Sequence, residues 1–541
     1  MSTKVAGKWL ALVLAMVMVL LAGCARKTEE AKPTEPEIVK GGTLRITYSS
    51  DPTSLDVHLT PSVGLVHSLI YDTLVVFGPD RQYHGHLAES WEVGAGGREI
   101  TFYLRKGVTF HDGTEFDAEA VKFNFDRLAN PDLASPGATW LGPYERTEVI
   151  DKYTVKVIFK EPYSPFLYSL STEFLAIQSP AAIQKYGDDY GQKAAVGTGP
   201  FMFEAWEAGD RITLVRNPNY KWPPFWYENK GPAYFEKVIF YNMPDEMTRL
   251  LALENAEIDI VGIPTHAVED MKAKPNVEVY EAETSSVVYL GINSSKAPWS
   301  DARLRQAVAH IVDREEIVNV ALNGMGVPNP TPISTAVFGY DPSLIEEVVY
   351  PRDIERAKTL LAEAGYRDTD GDGWVDKDGK PLVLEIMTYN SDPYPRLAEV
   401  VREQIIKAGI KVKIKTLESA TLLAATPKGE HDAILIAYGW SDPDILYYFF
   451  HSSRLDRTNR VHYVNPQVDQ LLEKARTVVD ADERFAIYRQ IQSIIIRDAP
   501  WIPLYTPIAC TGVRAEVKGF KLGPRGAYWL HDAYKEVPAT K

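Results

Sequence analysis

The chain has 541 residues, with 58 Lys+Arg against 73 Asp+Glu and a formal charge of −15. That acidity excludes a protein built to grip a phosphate backbone, which needs a basic face, and two cysteines exclude a disulfide framework. With 45% hydrophobic and 24% charged residues, the composition is that of a globular protein of roughly three to four domains at ~150 residues each.

The first elements are an address and a tether. Lys4 and Lys8 precede an unbroken apolar run from Trp9 to Leu21. The run is too short for a membrane-spanning helix, which needs about 20 residues, and suits the core of a signal peptide. Leu21-Ala22-Gly23-Cys24 resembles a bacterial lipobox. That resemblance implies cleavage after residue 23 and a lipid on Cys24; a plain signal peptide with an incidental cysteine is the alternative. Residues 24–40 are charged, carry Pro33 and Pro36 and lack aromatics, so they read as a tether. Cys510 is then left alone, as a small buried apolar residue. No later stretch is apolar for 18 residues, so no further span is expected.

Beyond residue 40 strand and helix patterns alternate. Ile100, Phe102 and Leu104 share one face of a strand, as do Tyr153, Val155, Val157 and Phe159. His111-Asp112-Gly113-Thr114 reads as a tight turn, with His111 structural or a metal ligand, and Asp117 as the cap of the next helix. Leu304, Ala307, Val308, Ile311 and Val312 form a helical stripe behind Ser300 as N-cap, and Asp313 with Glu316 opens another helix. Further helices are expected over 353–364 and 396–408, with strands over 382–387, 410–414 and 433–437. No short repeat is present, which excludes a solenoid. The pattern is α/β with a mostly buried sheet.

Nine segments in order resemble the family 5 extracellular solute-binding proteins of bacterial ABC transporters. They include GGTLRITYSSDPTSLDVH from Gly41, FYLRKGVTFHDGTEFDAEAVKFNFDR from Phe102, GTGPFMFEAW from Gly197, RNPNY from Arg216, GWSDPD from Gly439 and DAPWIPLY from Asp498. The resemblance implies a periplasmic-binding-protein type II-like fold, with two lobes around a ligand cleft. It implies three domains: a discontinuous first (41–78, 192–290 and 506–541), a second packed on it (79–191), and a third forming the other lobe (291–505). Gly197, Gly199 and Pro200 would lie at an inter-lobe crossover, where glycine freedom suits a hinge.

The family's peptide binders hold the ligand's ammonium on an aspartate near the GW motif. Carried over by position, Gly439 and Ser441 offer backbone groups, Trp440 a wall and Asp442 the carboxylate. This loop is shorter than in those binders, so three readings stay open: Asp444 serves instead, the ligand lacks an amine, or both aspartates only cap a turn and helix. Ser49 and Ser50 are expected near the cleft mouth. Trp222, Phe225, Trp226 and Tyr227 form either a sugar-stacking platform or ordinary packing. Asp368, Asp370, Asp372 and Asp376 match positions 1, 3, 5 and 9 of a calcium loop with Gly373 at 6, but position 12 is Gly379. A structural calcium and a solvated Asp-Gly turn are both open there; no cofactor is required.

Enzyme constellations are missing: there is no HExxH, GxSxG or CxxC, and only His84 and His86 lie close in sequence. A glycosidase needs two carboxylates, but 73 acids make such a pair uninformative. The expectation is a monomeric, lipid-anchored binding protein on the outer face of the cell membrane or in the periplasm. It would touch the membrane only through its lipid, bind no nucleic acid and deliver a small ligand to an ABC permease. A peptide leads, an oligosaccharide or metal chelate follows, and a secreted glycoside hydrolase comes last.

Overall fold

Alternation along Glu99–Leu104 puts Ile100, Phe102 and Leu104 inside, and this strand sits between Ala88–Gly94 and Thr154–Phe159 in a four-stranded antiparallel sheet closed by Tyr144–Asp151. Helix Ala118–Ala129 covers its inner face, packing Val121, Phe125 and Leu128 against Phe102, Val155 and Val157. Asp117 caps that helix by accepting from the Ala120 amide at 3.0 Å. The computed structural model describes residues 40–536. The signal peptide, Cys24 and the rest of the tether before residue 40 therefore lie outside the described residues.

Two larger sheets share one strand. Thr43–Tyr48 pairs in parallel with Lys237–Asn242, and the antiparallel hairpin strands Arg211–Arg216 and Phe201–Glu207 extend that edge. On the far side, Ala433–Gly439 pairs with Ser286–Ile292 and with Val383–Tyr389, which lies parallel to Lys411–Leu417. The 14-residue strand Trp501–Arg514 joins the two. Its first residues pair with Ser286–Ile292, and its last with Val277–Glu283 and Ile260–Ile263. The main chain thus passes between a first half and a second half at Thr284–Ser285 and at Thr506–Pro507. The expected domain borders at 290/291 and 505/506 fall inside strands, because pairing runs on through both positions.

The run Ala433–Ala437 is apolar throughout because its sheet is covered on both faces. Ala433 and Leu435 face a core with Leu304, Val308, Leu360, Val401 and Ile405, while Ile434 and Ile436 face one with Leu446, Phe450, Tyr488 and Trp501. Helix Ala302–Ile311 is capped by Asp301 rather than by Ser300: the Asp301 carboxylate accepts from the Arg303 amide at 3.0 Å. Asp313 caps the next helix through the Glu316 amide at 3.0 Å. No helix among the described residues is long and apolar enough to cross a membrane.

Candidate functional site

The strand Ala433–Gly439 delivers its C-terminal loop, Trp440–Asp444, to the face of the second half that meets the first. Gly439 pairs opposite Ser286, and a Cβ there would come within 2.6 Å of the Ser286 hydroxyl, which would have to rotate away. Trp440 stacks on Trp140 of the first half, with ring centroids 4.4 Å apart and planes 9° from parallel. Phe174 stacks on Trp140 too, at 4.8 Å and 15°. The Ser441 amide donates to the Tyr168 hydroxyl at 3.4 Å. An aromatic wall built by residues 140, 168 and 174 thus receives the loop.

Both loop carboxylates face arginines of the second half. Asp442 accepts two bonds from Arg484, at 2.6 and 3.1 Å, and a third from the Asp444 amide at 2.8 Å. Its side chain is only 3% exposed. The expectation that Asp442 meets a ligand ammonium therefore loses its physical basis, since its oxygens already have partners. Asp444 faces a different arginine: its Oδ1 lies 3.0 Å from Arg476 Nε, at 2% exposure. That approach is close but skewed, and neither atom gains a well-directed hydrogen bond.

Burial, with the nearby Asp442 charge adding to it, pushes the Asp444 carboxyl up to about 7, although Arg476 opposes the rise. Arg476 itself is held more firmly protonated by Asp444, against its own burial. We take the upward direction for Asp444, because a skewed contact restores little of the hydration it has lost. A carboxyl raised in the folded state binds its proton more tightly than in the unfolded chain. Its contribution to stability is therefore greatest at low pH and falls as pH rises from about 4 towards about 7. In Asp444→Asn this slope of stability against pH is expected to flatten, as read from urea midpoints across that window.

The same cluster braces the seam. The Ser164 amide and hydroxyl of the first half donate to the Arg476 carbonyl at 2.8 and 3.1 Å, and the hydroxyl also reaches the Ala475 carbonyl at 3.0 Å. The Arg476 guanidinium lies 4.1 Å from the Tyr447 ring centre and 5.3 Å from that of Tyr163.

Other expected residues fall elsewhere. Ser49 and Ser50 are exposed, and Ser50 lines a cavity wholly within the first half, between Tyr48–Thr53 and Thr60–His67. Gly197 and Gly199 have no left-handed backbone. A Cβ on them would lie 2.2 and 2.6 Å from the carbonyls of Ile70 and Leu69, so these glycines serve packing rather than torsional freedom. They bind residues 79–191 to the rest of the first half: the His111 amide donates to the Gly197 carbonyl at 2.9 Å, and His111 Nε2 lies 3.0 Å from that of Gly199. Burial lowers His111 to about 4, so it is a neutral structural group. The chain crosses between halves at 284–285 and 506–507 instead.

Of the aromatic cluster, Trp222 is buried and donates to Asp72 at 2.9 Å, and Phe225 is 58% exposed against His84. Trp226 and Tyr227 line a cavity together with Trp529. The acidic loop gathers Asp368, Asp370 and Asp372, with one oxygen of each within 4.8 Å of the others. Asp376 is turned away, accepting from the Thr369 hydroxyl at 2.7 Å and the Thr369 amide at 3.2 Å.

Sequence patterns did not reveal Trp140, Tyr168, Phe174, Arg476 or Arg484. One signal was present for Arg484: it occupies the apolar stripe of helix Ala481–Asp498, with Ile487, Tyr488, Ile491 and Ile495. A charge in a buried stripe calls for a buried partner.

Two halves joined by crossing strands meet at a seam of rings and backbone groups, an α/β architecture shared with the periplasmic binding proteins of type II. The family model for bacterial extracellular solute-binding proteins, family 5, middle part, matches residues 82–457. The chain belongs to that family. It is 31% identical over 502 residues to the probable D,D-dipeptide-binding periplasmic protein DdpA of Escherichia coli, covering 89% of this chain and 92% of that one. It is 29% identical over 565 residues to the heme-binding protein A of Haemophilus influenzae, covering 97% and 98%. The oligopeptide-binding protein AppA of Bacillus subtilis, solved with a nonapeptide, superposes with a TM-score of 0.75 at 27% identity, over 93% of this chain and all of that one.

Proposed function

We propose that this chain captures a small solute, a peptide first among the candidates, between its two halves and hands it to an ABC importer. The observation that carries the reading is the Trp140–Trp440 contact, a parallel ring pair made by opposite halves at the end of a central strand. Closure joins the rings and opening exposes them, so a ligand that contacts both halves favours the closed form. The kinship with DdpA and AppA supports a peptide. The loop offers Trp440 and the backbone of Gly439 and Ser441, with the Asp442 carboxylate already engaged by Arg484.

The expected result of calorimetry on the mature chain is therefore tight binding of short peptides, with N-acetylated and free forms within about threefold of each other. A strong preference for the free amine would return a carboxylate to the site, and failure of every peptide would remove the peptide reading. The leader and Cys24 support export as a lipoprotein facing the permease. Cys24→Ser is expected to move the protein from the membrane fraction to the soluble fraction, as followed by immunoblot.

A further inference from the structure

A second feature of the first half carries chemistry that the seam does not use. A cavity of about 460 Å³ lies between helix Leu65–Ile70, the turn at Ser171–Glu173, the loop Pro224–Tyr227 and the C-terminal stretch up to His531. No residue from 291–505 is among its described lining. Its volume is that of a small-molecule pocket. Its rim adjoins the seam, because Glu173 is followed by Phe174, the ring that stacks on Trp140.

The walls are flat and aromatic. Trp226 and Trp529 stack at 5.1 Å with planes 26° apart, and Tyr227 stands edge-on to Trp529 at 6.2 Å. The polar atoms in the lining are short of partners. His531 is 3% exposed, and neither of its ring nitrogens has a hydrogen bond. Carbonyls of Gly231 and Asn229 lie near enough to influence it, but not in hydrogen-bonding geometry. His86 is 4% exposed with Nδ1 free, its Nε2 being 3.2 Å from the Trp222 carbonyl. The Trp226 indole nitrogen lies beside the Tyr227 hydroxyl. Buried polar atoms are normally paired, so two such histidines at one cavity indicate missing partners.

The chemistry of those partners is constrained. Burial lowers both histidines, so each is a neutral ring with one donor and one acceptor. A hydroxyl, itself donor and acceptor, matches that pair. Asp72 has both oxygens engaged, by Thr198 and Trp222 on one and Tyr220 on the other, at 2.9, 2.9 and 3.3 Å. Glu173, the other acid among the described lining residues, is not free either.

We propose that this chamber is the specificity pocket of the capture site and takes a neutral ring bearing a hydroxyl, either a tyrosine-like side chain of a bound peptide or one sugar ring. The proposal rests on the reading of the chain as a solute-capturing protein. Tryptophan quenching and calorimetry on the full mature chain test it with three probes: the peptides Ala-Tyr-Ala and Ala-Lys-Ala, and cellotriose. If the ring comes from a peptide, Ala-Tyr-Ala binds at least about tenfold tighter than Ala-Lys-Ala. That preference disappears in His531→Ala and Trp529→Ala and survives in Trp529→Phe, which keeps a flat ring. If the ring comes from a saccharide, cellotriose binds and is lost in the same two variants. The proposal is overturned if the two peptides bind alike and cellotriose does not bind. It is also overturned if folded His531→Ala and Trp529→Ala keep every preference; in both cases the capture reading stands. If none of the probes binds and native mass spectrometry finds no retained solute, the capture reading falls and the chamber with it.

Discussion

Arg484→Ala is expected to lower the unfolding free energy by about 3–5 kcal/mol, because it leaves the Asp442 carboxylate buried without its partner. The two side chains are 10% and 3% exposed and meet through two bonds, at 2.6 and 3.1 Å. Water cannot replace what the mutation removes, so the loss exceeds that of a surface pair, which is worth about 0–1 kcal/mol. Urea unfolding followed by circular dichroism measures it. The double variant Arg484→Met with Asp442→Leu is expected to recover most of the loss, since it removes both charges and keeps the volume. A single-variant loss below about 1 kcal/mol would mean that the pair is hydrated in solution, and Asp442 would return as a ligand group.

Trp440→Ala is expected to weaken ligand binding by about thirtyfold or more, the effect of a central aromatic anchor worth roughly 2 kcal/mol. Trp140→Ala is expected to do the same from the other half. Their effects should not add, because each variant already destroys the shared ring contact at 4.4 Å. Small-angle scattering gives the second readout: with ligand, both variants are expected to remain more extended than the unmutated chain. If affinity is unchanged in both, the ring pair is a closure contact alone and the ligand is held elsewhere.

Much of the framework is legible in the residues, because burial imposes periodicity. The two-residue alternation of Ile100, Phe102 and Leu104 and the helical stripe through Leu304, Val308 and Ile311 both mark surfaces that the structure buries. The apolar run at Ala433–Ala437 is informative in another way, since only a sheet covered on both faces needs it. Caps are less secure: Ser300 and Asp301 are adjacent and chemically alike, and the backbone alone decides that Asp301 accepts the bond.

The site is less legible, because it depends on partners distant in sequence. The shortness of the Gly439–Asp444 loop is visible, yet its meaning lies in Arg476 and Arg484 on two helices further along the chain. Gly197 and Gly199 look like freedom in a sequence and act as clearance in space. Asp376 keeps the calcium spacing but is drawn to Thr369. Trp140 stands in a short irregular segment with no periodicity to distinguish it.

The strand Trp501–Arg514 bears on how the protein is made. It is hydrogen-bonded into the sheets of both halves, yet it lies almost at the end of the chain. Neither half can complete its central pairing until that last stretch has been synthesised. The four-stranded sheet of residues 88–159 needs nothing from that strand and can set earlier, but the two large sheets must wait for it. The two large sheets are therefore tied to each other through one strand, and the closing of one is the closing of both.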